Sequence, residues 1–164
     1  MDKINRFKGS LVGLAVGDAL GAPVEFKMKG TFPYITEMLS GGNFNLDAGQ
    51  WTDDTSMALC LATSLIEKGE FDLEDQIELY LRWYKEGYLS STGFAFDIGM
   101  STRRALDKYS VYRDPYAGSD NPKSAGNGSI MRLCPVPLVY SYDIKKVFEY
   151  SGESSKTTHQ AEEC

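Results

Sequence analysis

The sequence predicts an all-α protein. Apolar residues recur at helical spacing in one stretch after another, and no segment sustains the strict apolar–polar alternation of a half-buried strand. No internal repeat appears that would suggest a solenoid or propeller. At 164 residues, 42% of them hydrophobic, the chain suffices for one domain with a core or for part of a larger one.

The first helix is expected over 4–20. Ile4, Phe7, Leu11, Leu14, Ala15 and Asp18 fall on one stripe at 3.6-residue period, which places an acid on an apolar face. Gly9, Gly13, Gly17 and Gly21 repeat every four residues, a costly pattern that predicts close approach of another backbone. Asp2 and Asp18 argue against a signal peptide, and the run Gly9–Gly17 is too short to span a bilayer. Residues 22–50 read as a long loop carrying Pro23, Gly30, Pro33 and the turn signal Gly41-Gly42-Asn43.

A second helix is expected from Thr52 to Lys68, stopping at Gly69. Its apolar residues cover every side, the pattern of a buried helix. A third runs from the cap Asp72 to Gly87, with Leu73, Ile77, Tyr80, Leu81 and Tyr84 as its stripe. "TGFAFDIGMSTRRAL" begins as loop and turns helical near Asp97. "SDNPKSAGNGS" is loop, "IMRLCPVPLVY" a short helix or buried segment broken by prolines, and "YDIKKVFEYSGES" a last full helix. "SSKTTHQAEEC" reads as a cap followed by one turn of a further helix, suggesting a fragment or a chain completed by a partner.

Composition narrows the function. Seventeen basic against 23 acidic residues, with no Lys/Arg run, argue against nucleic-acid or anionic-membrane partners. An anionic ligand would need local devices such as helix starts, backbone amides or metal ions. Cys60, Cys134 and Cys164 show no CxxC spacing, which suits a reducing, cytoplasmic setting. His159 is the single histidine, so a multi-histidine zinc site is excluded.

The stretch "WTDDT" is the strongest chemical signal. Thr52 with Asp53 and Asp54 at a helix start either forms an ordinary cap or holds cations. A buried unpaired carboxylate is costly. Successive helical residues diverge by about 100°, so two adjacent acids do not easily share one protein partner. Mg²⁺, Mn²⁺ or Ca²⁺ would take these oxygens, and two ions about 3.5–4 Å apart would use both acids. Gly126, Asn127, Gly128 and Ser129 precede a helix-like segment, as a phosphate cradle or as a plain turn. Asp97 is by default an N-cap, and Glu25 is either solvated or held over a cleft. His159 would cap the nascent helix or donate to a ligand, Arg103 and Arg104 read as surface charges, and Asp18 is expected to brace another helix start.

Together "GSLVGLAVGDALGAPVEF", "WTDDTSMALCLATSL", "FDIGMSTRRAL", "GNGSIMRLCPVPL" and "TTHQAE" resemble, in order, the ADP-ribosylglycohydrolase family. The resemblance implies an orthogonal all-α bundle with two divalent cations, Mg²⁺ or Mn²⁺, in a cleft. It implies Thr52, Asp53 and Asp54 as metal ligands, and Asp97 and Glu25 as the catalytic acids near the scissile bond or its water. Gly126, Asn127, Gly128 and Ser129 would hold a diphosphate, and His159 a ribose hydroxyl or phosphate. The substrate implied is an ADP-ribosylated protein, of arginine type, or a small ADP-ribose conjugate. Family members usually run to nearly twice this length and carry a second, Asp-x-Asp-Thr motif. None follows residue 55 here. Residues 1–164 are therefore expected to form the N-terminal portion of one domain, with a second chain or a further half completing the metal site. A non-catalytic ADP-ribose-binding or structural relic and a metal-dependent nucleotide phosphohydrolase are the rival functions.

Overall fold

A computed structural model describes residues 2–164. Six α-helices follow in order: α1 Lys3–Gly21, α2 Asp53–Lys68, α3 Leu73–Glu86, α4 Met100–Tyr112, α5 Pro135–Val139 and α6 Ile144–Lys156. Short 3₁₀ turns occupy Ala22–Val24 and Pro122–Ser124. Among the described residues, extended pairing is confined to the isolated bridges Gly41–Leu46 and Ser119–His159.

Capping chemistry sets several boundaries. Asp2 accepts a hydrogen bond from the Asn5 amide at 2.7 Å and starts α1. Asp72 does the same for α3 through the Asp75 amide at 3.0 Å. Asp143 caps α6 through the amides of Lys145 and Lys146. Burying an aliphatic or aromatic side chain contributes roughly 1.5–3 kcal/mol, so the core forms where the apolar faces converge. Met57, Cys60, Leu61 and Leu65 of α2 meet Ile77, Tyr80, Leu81 and Trp83 of α3. Ala105, Leu106 and Tyr109 of α4, with Val136 and Tyr140, complete the cluster. Tyr150 of α6 stacks on Phe71, ring centroids 4.5 Å apart, and closes one flank.

Four expectations need correction. The glycine row of α1 meets no neighbour: a methyl group added at Gly9, Gly13, Gly17 or Gly21 would touch nothing within 4 Å. Much of the predicted α1 stripe also faces solvent. Ile4 is 65% exposed, and burial begins only toward Ala19. In α2, Ile66 is exposed, so that helix is wrapped on most sides rather than all. At the chain end, "SSK" belongs to α6, and the residues after Thr157 turn and bend without starting another helix.

Candidate active site

Asp18 organises the start of α2. Thr52 is the N-cap residue, yet its own side chain makes no capping bond. The Asp18 carboxylate, reaching over from α1, takes that role. It accepts from the Thr52 amide at 3.0 Å and hydroxyl at 2.8 Å, and from the Thr55 amide at 3.1 Å and hydroxyl at 2.6 Å. Charge-assisted bonds of this kind are the strong ones, and the α2 dipole favours the negative charge. Asp18 thus braces another helix start, as its place in the first helix predicts. Each threonine hydroxyl has one proton and commits it to Asp18. The oxygen lone pairs of Thr52 remain open to a cation.

With Asp18 as the cap, Asp53 and Asp54 are released from that duty. Both line a cleft of about 670 Å³, together with Glu25, Asp97, Gly126, Asn127, Gly128 and His159. Residues distant in sequence, from 25 to 159, therefore share one cavity. No Lys or Arg stands among its lining residues. Burial pushes Asp53 up to about 8, helped by repulsion from Asp97, Asp54 and Asp18. Burial, then the Glu25 carboxyl, push Asp97 up to about 8 as well. Asp54 is raised by burial and by Asp18 and Glu25. A group of carboxylates this hard to ionise calls for positive charge.

The donor set at this end is all oxygen: Thr52 hydroxyl and the Asp53 and Asp54 carboxylates. That chemistry fits a hard divalent cation. Thr52 itself lines a smaller adjoining cavity of about 270 Å³ with Gly17, Asp18, Glu25 and Asp54. Among the described residues, no three His, Cys, Asp or Glu side chains gather closely enough to hold an ion by themselves.

Two predicted placements change. Asp97 is not an N-cap: α4 starts at Met100 with Gly99 in the cap position, and Asp97 sits in the preceding loop at φ 56°. Its carboxyl consequently lines the cleft instead of closing α4. Ser129 is buried and is not among the cleft's lining residues; it lines an adjoining small cavity that shares Gly126, Asn127 and Ile130 with the cleft. The segment after it is a series of turns until the five-residue α5, so no helix start backs the glycine loop. Arg103 and Arg104 are exposed, as read from the sequence.

At the far end of the cleft the His159 ring lies against the glycine loop. A Cβ at Gly128 would stand 2.9 Å from His159 Cε1, so only glycine admits the ring there. The His159 backbone is strapped to the 117–119 segment: Gln160 N–H donates to the Ser119 carbonyl at 3.1 Å. Thr102 of α4, Thr158 and Arg132 were not legible as site residues. Thr102 lines the cleft, and Arg132 is fully buried behind His159. The only sequence signal for Arg132 was a lone cation inside an apolar segment.

Comparison with known proteins decides what this cleft belongs to. A family model described as ADP-ribosylglycohydrolase matches residues 1–164. The chain belongs to the ADP-ribosylglycohydrolase family. It is 41% identical over 162 residues to a Serratia proteamaculans protein named ADP-ribosylarginine hydrolase Tri1, matching 99% of this chain and 44% of that protein. It is 39% identical over 141 residues to the ADP-ribosyl-[dinitrogen reductase] glycohydrolase of Rhodospirillum rubrum, matching 82% and 44%. A solved structure titled ADP-ribosylglycohydrolase-related protein complex superposes with a TM-score of 0.84 at 47% identity, covering 98% of this chain and 51% of that one. The chain spans about half the length of the relatives it matches. Among the described residues, no helix is long and apolar enough to cross a membrane.

Proposed function

We propose that this cleft is the ADP-ribose-facing part of a glycohydrolase site, cutting the N-glycosidic bond between ADP-ribose and arginine in a protein. One observation carries it. A crowd of carboxyl groups with no Lys or Arg among the lining residues faces a glycine loop and a neutral histidine across a single cavity, in a chain whose relatives are named ADP-ribosylarginine hydrolase and ADP-ribosyl-[dinitrogen reductase] glycohydrolase.

Thr52, Asp53 and Asp54 would hold two Mg²⁺ or Mn²⁺ ions, with the remaining donors supplied by a second polypeptide or by further chain. Bound divalent cations supply Lewis acidity and a more acidic water. The chain's own groups do the rest. Cleavage at the anomeric carbon passes through an oxocarbenium-like state. Asp97 and Glu25 stand where one carboxyl can hold a proton while the other accepts one from water. Asn127 and Gly128 would turn backbone amides toward a diphosphate, while the Gly126 amide donates to Cys164 Sγ at 3.4 Å. The free thiols Cys60, Cys134 and Cys164 fit a cytosolic site of action.

The test is Mn²⁺-dependent release of intact ADP-ribose from an ADP-ribosylated arginine protein. Release of AMP or phosphate instead would make the protein a phosphohydrolase. A binding-only role has one observation in its favour, the lack of a self-sufficient ion cluster. Tight ADP-ribose binding without turnover, with and without Mn²⁺, would establish it.

A further inference from the structure

Among the described residues, Arg132 is the most buried charge and has no carboxylate partner. It is 0% exposed, and its guanidinium lies 4.7 Å from the Tyr80 ring centroid. Its donors go to neutral oxygens. Nη1 donates to the Gly128 carbonyl at 3.3 Å. Nη2 donates to the Thr157 hydroxyl at 3.0 Å, the Thr158 hydroxyl at 2.7 Å and the Ser154 carbonyl at 3.4 Å. One cation thus ties α6, the loop after it and the glycine loop together.

Arg132 Nε is buried without a partner, so the ordering runs through its two terminal nitrogens. Arg132 can only donate, so both threonine oxygens accept from it. The Thr157 hydroxyl then donates to the Ser154 carbonyl at 2.9 Å. The Thr158 hydroxyl has a different neighbour, His159 Nδ1, at 2.8 Å. If Nδ1 carried the ring proton, the buried Thr158 hydrogen would have no acceptor, a loss of roughly 1–3 kcal/mol. With the Thr158 hydroxyl donating, Nδ1 is the acceptor and the proton of the neutral ring sits on Nε2. Burial and the Arg132 charge also hold the ring's pKa down to about 4, so the neutral form prevails near pH 7. Nε2 is the atom beside Gly126 and Gly128: added Cβ atoms there would lie 3.7 and 3.1 Å from it.

We infer that Arg132 and Thr158 are positioning residues that lock His159 as the Nε2–H tautomer, so that the glycine-loop end of the cleft presents a neutral N–H donor to an oxygen acceptor of the ligand. The acceptor class is a phosphate or ribose oxygen, and only that last identity rests on the proposed function. A neutral donor suits this place. It orients an oxygen without adding a cation that would compete for the carboxylates at the other end.

His159 is the single histidine, so its two ring nitrogens give one unambiguous pair of signals in ¹⁵N NMR of the labelled chain. The expected wild-type spectrum at pH 7 has Nδ1 unprotonated and Nε2 protonated. One buried hydrogen bond corresponds to roughly a tenfold preference, so Thr158→Val should cut the Nε2–H:Nδ1–H ratio about tenfold while Thr158→Ser restores it. Removing Arg132 risks unfolding, and the threonine pair keeps the inference testable without it. A wild-type ring protonated on Nδ1, or a Thr158→Val spectrum unchanged from wild type, overturns the lock. Titration with ADP-ribose should move the Nε2 signal. A locked ring that ignores ADP-ribose upholds the positioning role and overturns the ligand assignment.

Discussion

The two ends of the cleft handle polarity in opposite ways. At the α2 end, Asp53, Asp54, Asp97 and Glu25 crowd together with no Lys or Arg among the lining residues. At the other, Arg132, Thr158 and His159 form an unbroken series of donors and acceptors. The first end crowds carboxyl groups that are hard to ionise, and it costs folding energy as it stands. The second is tied together by hydrogen bonds. The difference teaches that one end of this cleft has no counter-charge among its lining residues, while the other links donors and acceptors from within the fold.

The comparison can be broken at several points. The largest effect is expected at Asp18, the one carboxylate at the acidic end whose oxygens are fully engaged. Asp18→Ala removes the hydrogen bonds that start α2, so a loss of about 2–4 kcal/mol is expected in urea denaturation. A loss under about 0.5 kcal/mol would show that α2 starts without it. Asp53→Asn should have split effects. If the proposed activity holds, ion-dependent ADP-ribose release should fall at least roughly 100-fold. The ion-free chain should gain about 1–2 kcal/mol, because the cost of keeping a buried, repelled carboxyl from ionising is gone. Unchanged turnover would separate Asp53 from the chemistry.

The pH dependence of ion-free stability follows the same division. Asp53 and Asp97 move up from 3.8 to about 8 on folding. The folded chain therefore binds more protons across that window, and the contribution is full below about 4 and lost as pH rises toward 8. His159 moves down from 6.5 to about 4, so its contribution is lost as pH falls through that range. Between pH 6.5 and 8 only the carboxylates act, and the melting temperature should decline as pH rises. Asp53→Asn should flatten that decline, and Mn²⁺ should too. A melting temperature that climbs over this interval would contradict the assigned strain. The smallest effect is expected at the neutral end. Gly128→Ala pushes a methyl to within 2.9 Å of the His159 ring. It should weaken ADP-ribose binding roughly tenfold, about 1.4 kcal/mol by calorimetry, with global stability nearly unchanged.

Much of this arrangement was legible in the sequence. Apolar periodicity and capping acids located α3 and α6, because those helices bury one face and are started by the short acids Asp72 and Asp143; α2 was legible from its apolar run alone. Asp18 stood out as an acid on an apolar stripe, and it does brace α2. Other features depend on turns or on distant packing. The left-handed backbone at Asp97 delays α4 by about one turn, which no periodicity reveals. Ser129 is missing from the cleft lining, where the chain after Gly128 is a string of turns and not a helix. The α1 glycine row promised a contact that no residue described here makes. Arg132 was not singled out from the sequence, because apart from the Gly128 carbonyl its hydrogen-bond partners lie 22 to 26 residues away.

The backbone at Asp97 has one more consequence. At φ 56° this position favours glycine, asparagine and aspartate, although Phe26, Leu89 and Arg113 hold the same left-handed backbone elsewhere in the chain. Glycine and asparagine suit the main chain and drop the carboxyl. Glutamate keeps the carboxyl at a cost in main-chain strain. Aspartate meets both conditions at the least strain, so residue 97 is a narrow place for variation to drift.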